Sequence, residues 1–361
     1  MKHDSIQQKH VFILSFLFLC ANCYSLLYAS NTGRSVWLCY LFAGVLASLV
    51  AWLLAHALQK SKLDFFQLLD RSFTPVIGKL LALFLAIYAF LSAGTSLSIF
   101  GRFNQLTALS ETPTLILPLA VILLSIRASR SGISTIARMG NFVFYFILAV
   151  FFTFALLGIN FLSPQALTPL RPNQFSDVVL GALTVFVNQF GDLLFLSVLS
   201  CAQKKSRAFV GGTVAAGIVL SVIALMTVMT LGEAEILTDS YPVFTVLSIR
   251  SIGQFIQHLE ILSSIAMTLI IFFRVSIALT FVGLALKHLF SLEECRAALF
   301  PLGLLLTTIT QVMYRNMLVL RERLESPLTL MIALPLQVLL PLVLFLLVTI
   351  KSRNKHTLGS K

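Results

Sequence analysis

Charged residues are scarce in this sequence. Only 11% of its 361 residues are Asp, Glu, Lys or Arg, whereas 58% are hydrophobic and the mean hydropathy is +0.95. A soluble domain carries charge on roughly 25% of its residues. Chain length alone would suggest two or three soluble domains, but this composition excludes water as the main solvent. We therefore expect a single transmembrane domain over residues 1–361, with the lipid bilayer as its surroundings.

The sequence also lacks the motifs of soluble enzymes. It contains no H-E-x-x-H, no P-loop and no G-x-S-x-G, so we expect no catalytic residues, no metal site and no cofactor. The net charge of +12 would raise the prospect of nucleic-acid binding in a soluble chain. Here the basic residues lie in short loops, and no basic face is interleaved with stacking aromatics. No nucleic-acid partner is expected.

Cysteine is scarce as well, at five residues. Cys20 and Cys23 form a C-x-x-C, which in other contexts indicates a redox or metal site. Both lie in the first apolar run with no His or second Cys pair nearby, which favours ordinary small membrane residues. That run, Val11–Tyr28, is too long for a cleaved signal peptide and is followed by further apolar runs. It is interpreted as an uncleaved first span.

Long apolar runs are what the sequence has in abundance. A helix needs about 20 apolar residues to cross the hydrocarbon core of a bilayer. The runs predict ten transmembrane helices, of which the fourth is short, near 11–30, 36–58, 79–100, 113–126, 139–159, 179–200, 210–231, 259–287, 297–314 and 331–350.

The loop charges predict the orientation of these spans. With the N-terminus inside, most of the 26 Lys and Arg residues fall in cytoplasmic segments, and this bias predicts that both termini are cytoplasmic. The connection Lys62–Arg71 is amphipathic and is predicted to lie along the inner surface. The outer loop 232–258 has a helical pattern that fits either an extracellular lid or a passive connector.

An all-α protein with ten spans divides into five and five. Because five is odd, the second half enters from the opposite side, which predicts an inverted repeat of about 11–159 and 179–350. Transporters of this design bind their substrate near the midplane, where the first helix of each repeat is broken. Spans one and six are therefore the places to look for a site.

Span six contains Asn188, Gln189, Gly191 and Asp192 in an otherwise apolar helix. Unwound backbone is tolerated in a membrane where it lines a cavity or is buried in protein. An acid at the bilayer centre costs about 2.5–3.5 kcal/mol on insertion scales and is a functional hypothesis by default. A structural acid paired within the bundle is the alternative.

Span one offers a weaker interruption at Ala21, Asn22 and Cys23, where small and polar residues fit either an unwound helix or close helix packing. Span three has a hydroxyl-rich stretch that includes Thr95. That stretch favours helix packing first and ligand contact second.

Arg274 lies inside span eight, where a lone arginine is costly. It is expected to face the bundle interior and to meet an acid, a ligand carboxylate or freed carbonyls. Asp192 is the natural partner. Snorkelling of the side chain to the inner interface is the alternative.

Several stretches, taken in order, resemble the endospore germination permeases, the B subunits of nutrient germinant receptors in the amino acid–polyamine–organocation superfamily. The stretches are Arg102-Phe103, Thr112-Pro113, Ser131-Gly132-Ile133 through Ala137-Arg138, Gln189-Phe190-Gly191-Asp192, Tyr241-Pro242, Ile252-Gly253-Gln254-Phe255-Ile256 and Leu259-Glu260.

The resemblance implies a LeuT-like body with interrupted helices one and six in the spore inner membrane. It implies a subunit that recognises a small nutrient, often an amino acid, and triggers spore germination beside A and C subunits. A stand-alone secondary amino-acid transporter of the same fold is the alternative. The ligand-binding residues are then expected to be Ala21, Asn22, Cys23, Thr95, Asn188, Gln189, Phe190, Gly191, Asp192 and Arg274.

Two positions depart from the family pattern. Span one lacks the glycine expected at its break, and Arg274 stands where the family often has lysine. These departures leave the ligand's identity open.

Overall fold

A computed structural model describes most of the chain, and the described part is almost entirely helical. The described residues are 7–23, 28–107, 113–159, 162–167, 175–199, 206–239, 241–248, 259–292, 296–313 and 317–358. Thr112 and the Ile252–Ile256 stretch of the family motifs lie outside them, as does 249–258 of the outer loop.

The α-helices follow one another with short connections. They are α1 (Gln8–Leu19), α2 (Val36–Ser61), α3 (Phe65–Ser72), α4 (Pro75–Thr107), α5 (Ile116–Ser131), α6 (Ile133–Ile159), α7 (Phe175–Val185), α8 (Ser206–Leu231), α9 (Glu233–Thr238), α10 (Pro242–Ser248), α11 (Leu259–Phe290), α12 (Leu299–Met313), α13 (Met317–Glu325), α14 (Pro327–Leu334) and α15 (Leu340–Leu358). Shorter 3₁₀ and π segments lie at Ser30–Ser35, Pro164–Leu167, Phe186–Phe190, Gly191–Val198 and Pro335–Leu339.

Seven helical stretches of the described chain are long and apolar enough to cross a membrane. They are Asn31–Ser61, Pro75–Leu106, Ile133–Leu156, Phe175–Val198, Ser206–Leu231, Ile261–Phe290 and Pro327–Lys351. The three other predicted spans coincide with shorter helices, namely α1, α5 and α12. The chain is a multi-pass membrane protein, and the number of ten crossings stays a prediction.

The first predicted span, near 11–30, is interrupted as the sequence suggested. Helix α1 ends at Leu19 and is followed by turns through Cys23. The fourth span was expected at 113–126, whereas α5 begins at Ile116 and continues to Ser131. Its last turn contains Arg130. Hydropathy excludes such a charge from the predicted span, but a helix end exposed to water tolerates it.

The outer surface of the bundle is apolar. On α2, for example, Phe42, Val45 and Trp52 have 47–64% of their surface exposed. A soluble monomer rarely exposes contiguous apolar patches of more than a few hundred Å², so side chains of this kind fit a surface that faces lipid.

Inside the bundle, α2 packs against α8 at a point of close backbone approach. A Cβ added to Gly44 would lie 3.0 Å from the Cα of Gly217, and one added to Gly217 would lie 3.1 Å from the Cα of Gly44. Membrane helices lack a hydrophobic drive to associate, so small residues that allow such contact stabilise their packing. Elsewhere α11 packs against α4 and α5, and α1 packs against α8, α6 and α11.

The amphipathic connection after α2 forms a separate short helix, α3. Asp64 and Gln67 form a capping box at its start, which satisfies two backbone donors that the helix leaves unpaired. Phe65, Phe66 and Leu69 are buried against the bundle. The helix that the sequence predicted is present, and its position at the inner surface stays a prediction.

The described part of the outer loop packs onto α4. The Tyr241 hydroxyl donates to the Ile99 carbonyl at 3.2 Å. The Phe103 ring lies edge-on to those of Tyr241 and Phe244, with centroids 5.2 Å apart in both pairs. This contact joins α10 to the end of α4 and is more specific than a passive connector requires.

Candidate ligand-binding site

The helix of span six changes its hydrogen-bonding pattern twice within 24 residues. It is α-helical through Val185, π-helical over Phe186–Phe190 and 3₁₀-helical over Gly191–Val198. We call residues 175–198 the span-six segment. A π turn widens the helix and often marks a functional site. The interruption predicted at Asn188–Asp192 is therefore present, as two changes of pitch within a continuous helical run.

Gly191 lies where the two pitches meet, and its lack of a side chain is required there. A Cβ at this position would overlap the Gln337 carboxamide of the π turn Pro335–Leu339. The glycine thus permits close approach of the span-six segment to the last span, and its φ of −61° shows no left-handed backbone.

Span one is broken as well. After α1 ends at Leu19, Asn22 adopts a left-handed backbone with φ of 62°. Apart from glycine, asparagine is one of the few residues that visit this conformation routinely. Asn22 thus supplies the left-handed backbone for which a glycine was expected in this span. Of the two interpretations that the sequence offered, unwinding is the one observed.

Gln189 joins the two broken helices. Its Nε2 donates to the Leu19 carbonyl at 2.7 Å and also to the Ala21 carbonyl. Both carbonyls lie where α1 has ended and can no longer be paired within the helix. Asn188 has a similar role beside it, since its Nδ2 donates to the carbonyls of Thr184 at 3.0 Å and Leu324 at 2.9 Å.

Asp192 and Arg274 form an ion pair in the centre of this arrangement, and only 2% of either side chain is exposed. The Arg274 Nη2 donates to Asp192 Oδ2, and the Ser92 hydroxyl donates to the same oxygen. Nη2 also lies 3.4 Å from the Asn188 carbonyl. Arg274 is therefore directed into the bundle, and the snorkelling alternative is wrong.

Aromatic rings surround the pair. The Arg274 Cζ atom lies 5.3 Å from the centroid of the Phe18 ring, a distance at which a ring face attracts a cation. Phe195, one turn beyond Asp192, packs against the rings of Phe18 and Tyr88 at centroid distances of 6.4 and 5.8 Å. The charges therefore lie among rings, where their mutual attraction is weakly screened.

Gln337 and Tyr88 are site residues that the sequence reasoning missed. Gln337 is fully buried, and its Nε2 donates to the Val187 carbonyl at 3.0 Å and to the Tyr88 hydroxyl at 2.5 Å. The signal for Gln337 was available, because it is a polar residue two positions after Pro335 in an apolar span. Tyr88 has no comparable signal, since tyrosine is common in membrane helices.

The other predicted residues have varied surroundings. Asn22 Nδ2 donates to the Ser96 hydroxyl at 3.3 Å, which links the span-one break to α4. The Thr95 hydroxyl donates to the Leu91 carbonyl of its own helix at 3.0 Å. Cys23 and Phe190 are buried in the core. Ser92, rather than Thr95, is thus the α4 residue that contacts Asp192.

Several buried polar atoms in this region have no hydrogen-bond partner among the described residues. They are Asn22 Oδ1, Gln189 Oε1, Asp192 Oδ1, Arg274 Nε and Nη1, and Gln337 Oε1. Buried polar groups are usually satisfied, and each exception needs an explanation. The set contains donors and acceptors, so it retains the capacity to bind a small polar molecule. The described residues contain no cluster of His, Cys, Asp or Glu that could hold a metal ion.

Two interrupted helices joined around a buried polar centre are the arrangement expected of the LeuT-like fold. The chain matches the solved structure of a nucleobase-cation-symport-1 family transporter, MHP1, closed with bromovinylhydantoin bound, with a TM-score of 0.65 and 13% identity over 89% of this chain and 74% of that one. It matches the Eremococcus coleocola manganese transporter with a TM-score of 0.62 and 16% identity, over 95% and 80% of the two chains. At these identities the likeness shows the fold, which is the LeuT-like fold expected from the sequence.

Within this class, residues 5–318 match the spore permease family, described as spore germination protein, and the chain belongs to that family. It is 22% identical to spore germination protein KB of Bacillus subtilis (strain 168), over 99% of this chain and 98% of that protein. It is 23% identical to the putative spore germination protein YfkT of the same strain, over 93% and 92%. The spore permease family suggested by the motifs is confirmed, whereas its place in the amino acid–polyamine–organocation superfamily and the role as a B subunit stay predictions.

Proposed function

We propose that this chain is the integral membrane subunit of a nutrient germinant receptor. It recognises a small solute such as an amino acid at the midplane site and triggers spore germination. The observation that carries the proposal is the buried Asp192–Arg274 ion pair at the junction of two broken helices, in a chain of the spore permease family.

An amino acid has the chemistry that this pair recognises. Its carboxylate matches the fork of the Arg274 guanidinium, and its ammonium group matches the Asp192 carboxylate. Removing the partner of a buried charge strongly destabilises a protein. A zwitterion offers both opposite charges at once, so it can separate Asp192 from Arg274 without leaving either uncompensated.

The remaining contacts fall to the residues around the pair. The proposed contact residues are those at the two breaks: Ala21, Asn22 and Cys23 in span one, and Asn188, Gln189, Phe190 and Gly191 in span six. Ser92 contacts Asp192 from α4, and Thr95, one turn further along, is the second contact that we assign to that helix. The unpaired oxygens of Asn22 and Gln189 can accept hydrogen bonds from an ammonium group.

The cellular setting of the proposal follows from the family resemblance and from the loop charges. We place the chain in the spore inner membrane with both termini in the cytoplasm, beside the A and C subunits of a germinant receptor. As a single transmembrane domain of two inverted repeats, it would depend on these subunits to pass the signal on. Genes for A-type and C-type subunits next to its own gene would support this arrangement.

The proposal is tested by germination of a strain that lacks this chain, against a panel of amino acids, sugars and nucleosides. We expect loss of the response to one nutrient or a small group, restored by the wild-type gene but not by Asp192→Asn. Asp177→Asn is the matched control, because Asp177 is an exposed carboxylate at the start of the same segment. A deletion strain that responds normally to every nutrient contradicts the proposal.

A stand-alone secondary amino-acid transporter is the second candidate, favoured by the solved transporters that share the fold. Uptake of labelled amino acids into proteoliposomes that contain only this chain tests it. Uptake driven by a cation gradient, without any germination defect in the deletion strain, favours the transporter over the receptor.

A further inference from the structure

A second cavity lies beyond the midplane site, at the end of the bundle that the loop charges assign to the cytoplasmic side. Its volume is about 460 Å³. It lies between the start of α3, the end of the span-six segment and the end of α11, and its lining includes Gln67, Ser197 and Lys287. We call it the inner cavity. Two of its walls are therefore the segments that carry Asp192 and Arg274.

The order of residues along these two segments places aromatic rings between the ion pair and the inner cavity. On α11, Phe281 follows Arg274 by two turns, about 10 Å along the axis, and the cavity lining begins three residues later. In the span-six segment, Phe195 follows Asp192 by one turn, and the cavity lining begins two residues later. Both helices thus present a charge, then a ring, then the cavity.

Helix α3 adds two more rings at the same level. The Phe281 ring lies 5.1 Å from that of Phe195, and 5.3 and 6.1 Å from those of Phe66 and Phe65, measured between centroids. None of the four side chains is more than 8% exposed. Aromatic pairs at roughly 4.5–7 Å attract one another beyond the effect of the area that they bury. We call these four side chains the inner ring layer.

A polar contact holds the far end of α3 against α11. Asp70 Oδ2 lies 3.2 Å from His288 Nε2, and the His288 ring stacks on that of Phe66 at 5.5 Å. His288 follows Phe281 by seven residues and therefore lies on nearly the same face of α11. The two polar side chains are 18% and 28% exposed, and ion pairs near the surface contribute little to stability. This contact is thus released more readily than the ring layer.

Helix α3 is built as a separate unit of eight residues. Lys62, with a left-handed φ of 55°, ends α2, and the capping box of Asp64 and Gln67 begins α3 anew. Residues at the ends of elements are the usual hinges, because they absorb the backbone changes of a rigid-body motion. The helix can therefore move against α11 without unfolding α2.

We propose that α3 is a lid on the inner end of the midplane site. The lid is closed in this structure, with the inner ring layer between the ion pair and the inner cavity and the Asp70–His288 contact as its latch. It opens when α3 separates from α11, which joins the cavity to the buried polar centre. The proposal rests on the midplane site as the functional centre, but not on the identity of a ligand or on transport.

The modification rate of Cys20 measures whether the lid is closed. Cys20 is fully buried and lies two residues beyond Phe18, whose ring is 6.4 Å from that of Phe195. The reagent is 2-sulfonatoethyl methanethiosulfonate, which does not cross membranes, and it is applied to inverted vesicles that contain the full-length chain. Cys39 is equally buried and lies on a different tryptic peptide, so mass spectrometry reads it as an internal control.

We expect slow modification of Cys20 in the wild-type chain. Phe281→Ala removes the central ring of the layer and should raise this rate at least about tenfold, because local opening no longer has to separate the rings. The rate at Cys39 should not change. Phe209→Ala is the matched control, since it removes a buried ring at the start of α8, outside the inner ring layer, and should leave Cys20 slow.

Two latch variants guard against a Phe281→Ala chain that fails to fold. Asp70→Asn and His288→Gln leave the rings in place and should each raise the Cys20 rate several-fold. Asp177→Asn, at an exposed carboxylate of the span-six segment, should not.

Three outcomes would overturn the lid: wild-type rates in all the ring and latch variants, an equal rise at Cys39, or acceleration in right-side-out rather than inverted vesicles. No nutrient enters these measurements. Failure of the lid therefore leaves the proposed receptor function standing, and a normal germination response in the deletion strain leaves the lid standing.

Discussion

At the scale of single residues, the Asp192–Arg274 pair is the most costly feature of the bundle to bury. Two charges taken out of water lose solvation worth several kcal/mol each, and their attraction repays this only if the other polar atoms are satisfied. Here Asp192 Oδ1 and Arg274 Nε and Nη1 have no partner among the described residues. A pair kept only for stability would be expected to have these atoms satisfied, so their state favours a role in binding.

The first prediction is that Asp192 and Arg274 are energetically coupled. Asp192→Asn or Arg274→Gln alone should destabilise the protein by about 3–5 kcal/mol, because each leaves an uncompensated buried charge. The double substitution should cost less than the sum of the two. A double-mutant cycle on the Tm of the purified protein and on the germination response measures this coupling.

The cycle has a matched comparison at the surface. Arg34 and Glu233 also form an ion pair, at 2.8 Å, but their side chains are 32% and 40% exposed. Such a pair typically contributes 0–1 kcal/mol, so a cycle on Arg34→Gln and Glu233→Gln should give little coupling. Additive effects at Asp192 and Arg274 would contradict the pairing.

The second prediction concerns Gly191. Gly191→Leu should abolish the nutrient response while the protein still inserts into the membrane, because any side chain there displaces the Gln337 carboxamide. Gly191→Ala should cost about 1–3 kcal/mol of stability, the usual range for overpacking. Membrane abundance by immunoblot and germination by loss of optical density are the measurements.

Gly211→Ala is the control for this prediction. Gly211 lies in α8, where an added Cβ meets only Phe12 at an ordinary distance of 3.6 Å. Full activity of Gly191→Leu would show that packing does not require a glycine at position 191. Partial recovery in a Gly191→Ala, Gln337→Ala double variant would confirm that Gln337 is the obstacle.

Charges and glycines were the residues that sequence could identify. Asp192 and Arg274 stand out because each is ionisable within an apolar run, and opposite charges at depth must find partners. Tyr88 was missed because its role depends on which helices are neighbours. Gln337 stands out as a polar residue in an apolar span, but only tertiary packing places it against the span-six segment. Thr95 was chosen over Ser92 for the same reason, since helix register decides which hydroxyl reaches the acid.

At the scale of elements, Gln189 joins the end of α1 to the span-six segment through two carbonyls. The Gln189 side chain thus holds the two interrupted helices together at their breaks. Neither break is stable alone in a membrane, because unpaired carbonyls there have no water as a partner.

The third prediction follows from this link. Gln189→Leu preserves the approximate size of the side chain but removes both donors, so it should cost about 1–3 kcal/mol per unsatisfied carbonyl. We expect a lower Tm and loss of the nutrient response. Gln8→Leu, at an exposed position at the start of α1, should change neither quantity, and a normal Tm in Gln189→Leu would refute the link.

Sequence predicted which spans are broken but not how. Ten spans in two halves pointed to spans one and six, and both are irregular. The way in which each helix is interrupted differs from the expectation. Span one uses Asn22 in a left-handed conformation, and span six uses a π turn followed by a 3₁₀ helix. Such changes of pitch depend on hydrogen bonds from neighbouring helices, which periodicity along one segment does not reveal.

At the scale of the whole molecule, the fold and the family were both predicted from sequence. The fold class follows from the long apolar runs, which few structures other than a bundle of membrane helices can accommodate. The family follows from the order of several short motifs. The A and C subunits, the ten crossings and the inverted repeat stay predictions. They depend on partner surfaces, on the lipid bilayer and on symmetry between the repeats. The composition of a single chain carries little information about any of these.

The fourth prediction concerns topology. A cysteine at exposed Glu235 in α9 should react with a membrane-impermeant maleimide from outside, whereas one at exposed Arg207, at the start of α8, should react only after the membrane is permeabilised. Cys20, Cys23 and Cys39 are buried, and Cys201 and Cys295 are replaced by serine in the background, so that the introduced cysteine is the thiol that reacts. Labelling of Glu235→Cys from the cytoplasmic side would overturn the ten-span scheme.

The contact between Gly44 and Gly217 limits how α2 and α8 can move against each other. It leaves no space for a side chain between the two backbones. Sliding either helix by one turn, about 5.4 Å, would bring Ser48 or Ser221, four residues along on the same face, toward a gap that admits no side chain. Rotation about the contact meets no such obstacle. In mechanical terms the crossing is a pivot, about which a small displacement at the ion pair would become a swing of the helix ends.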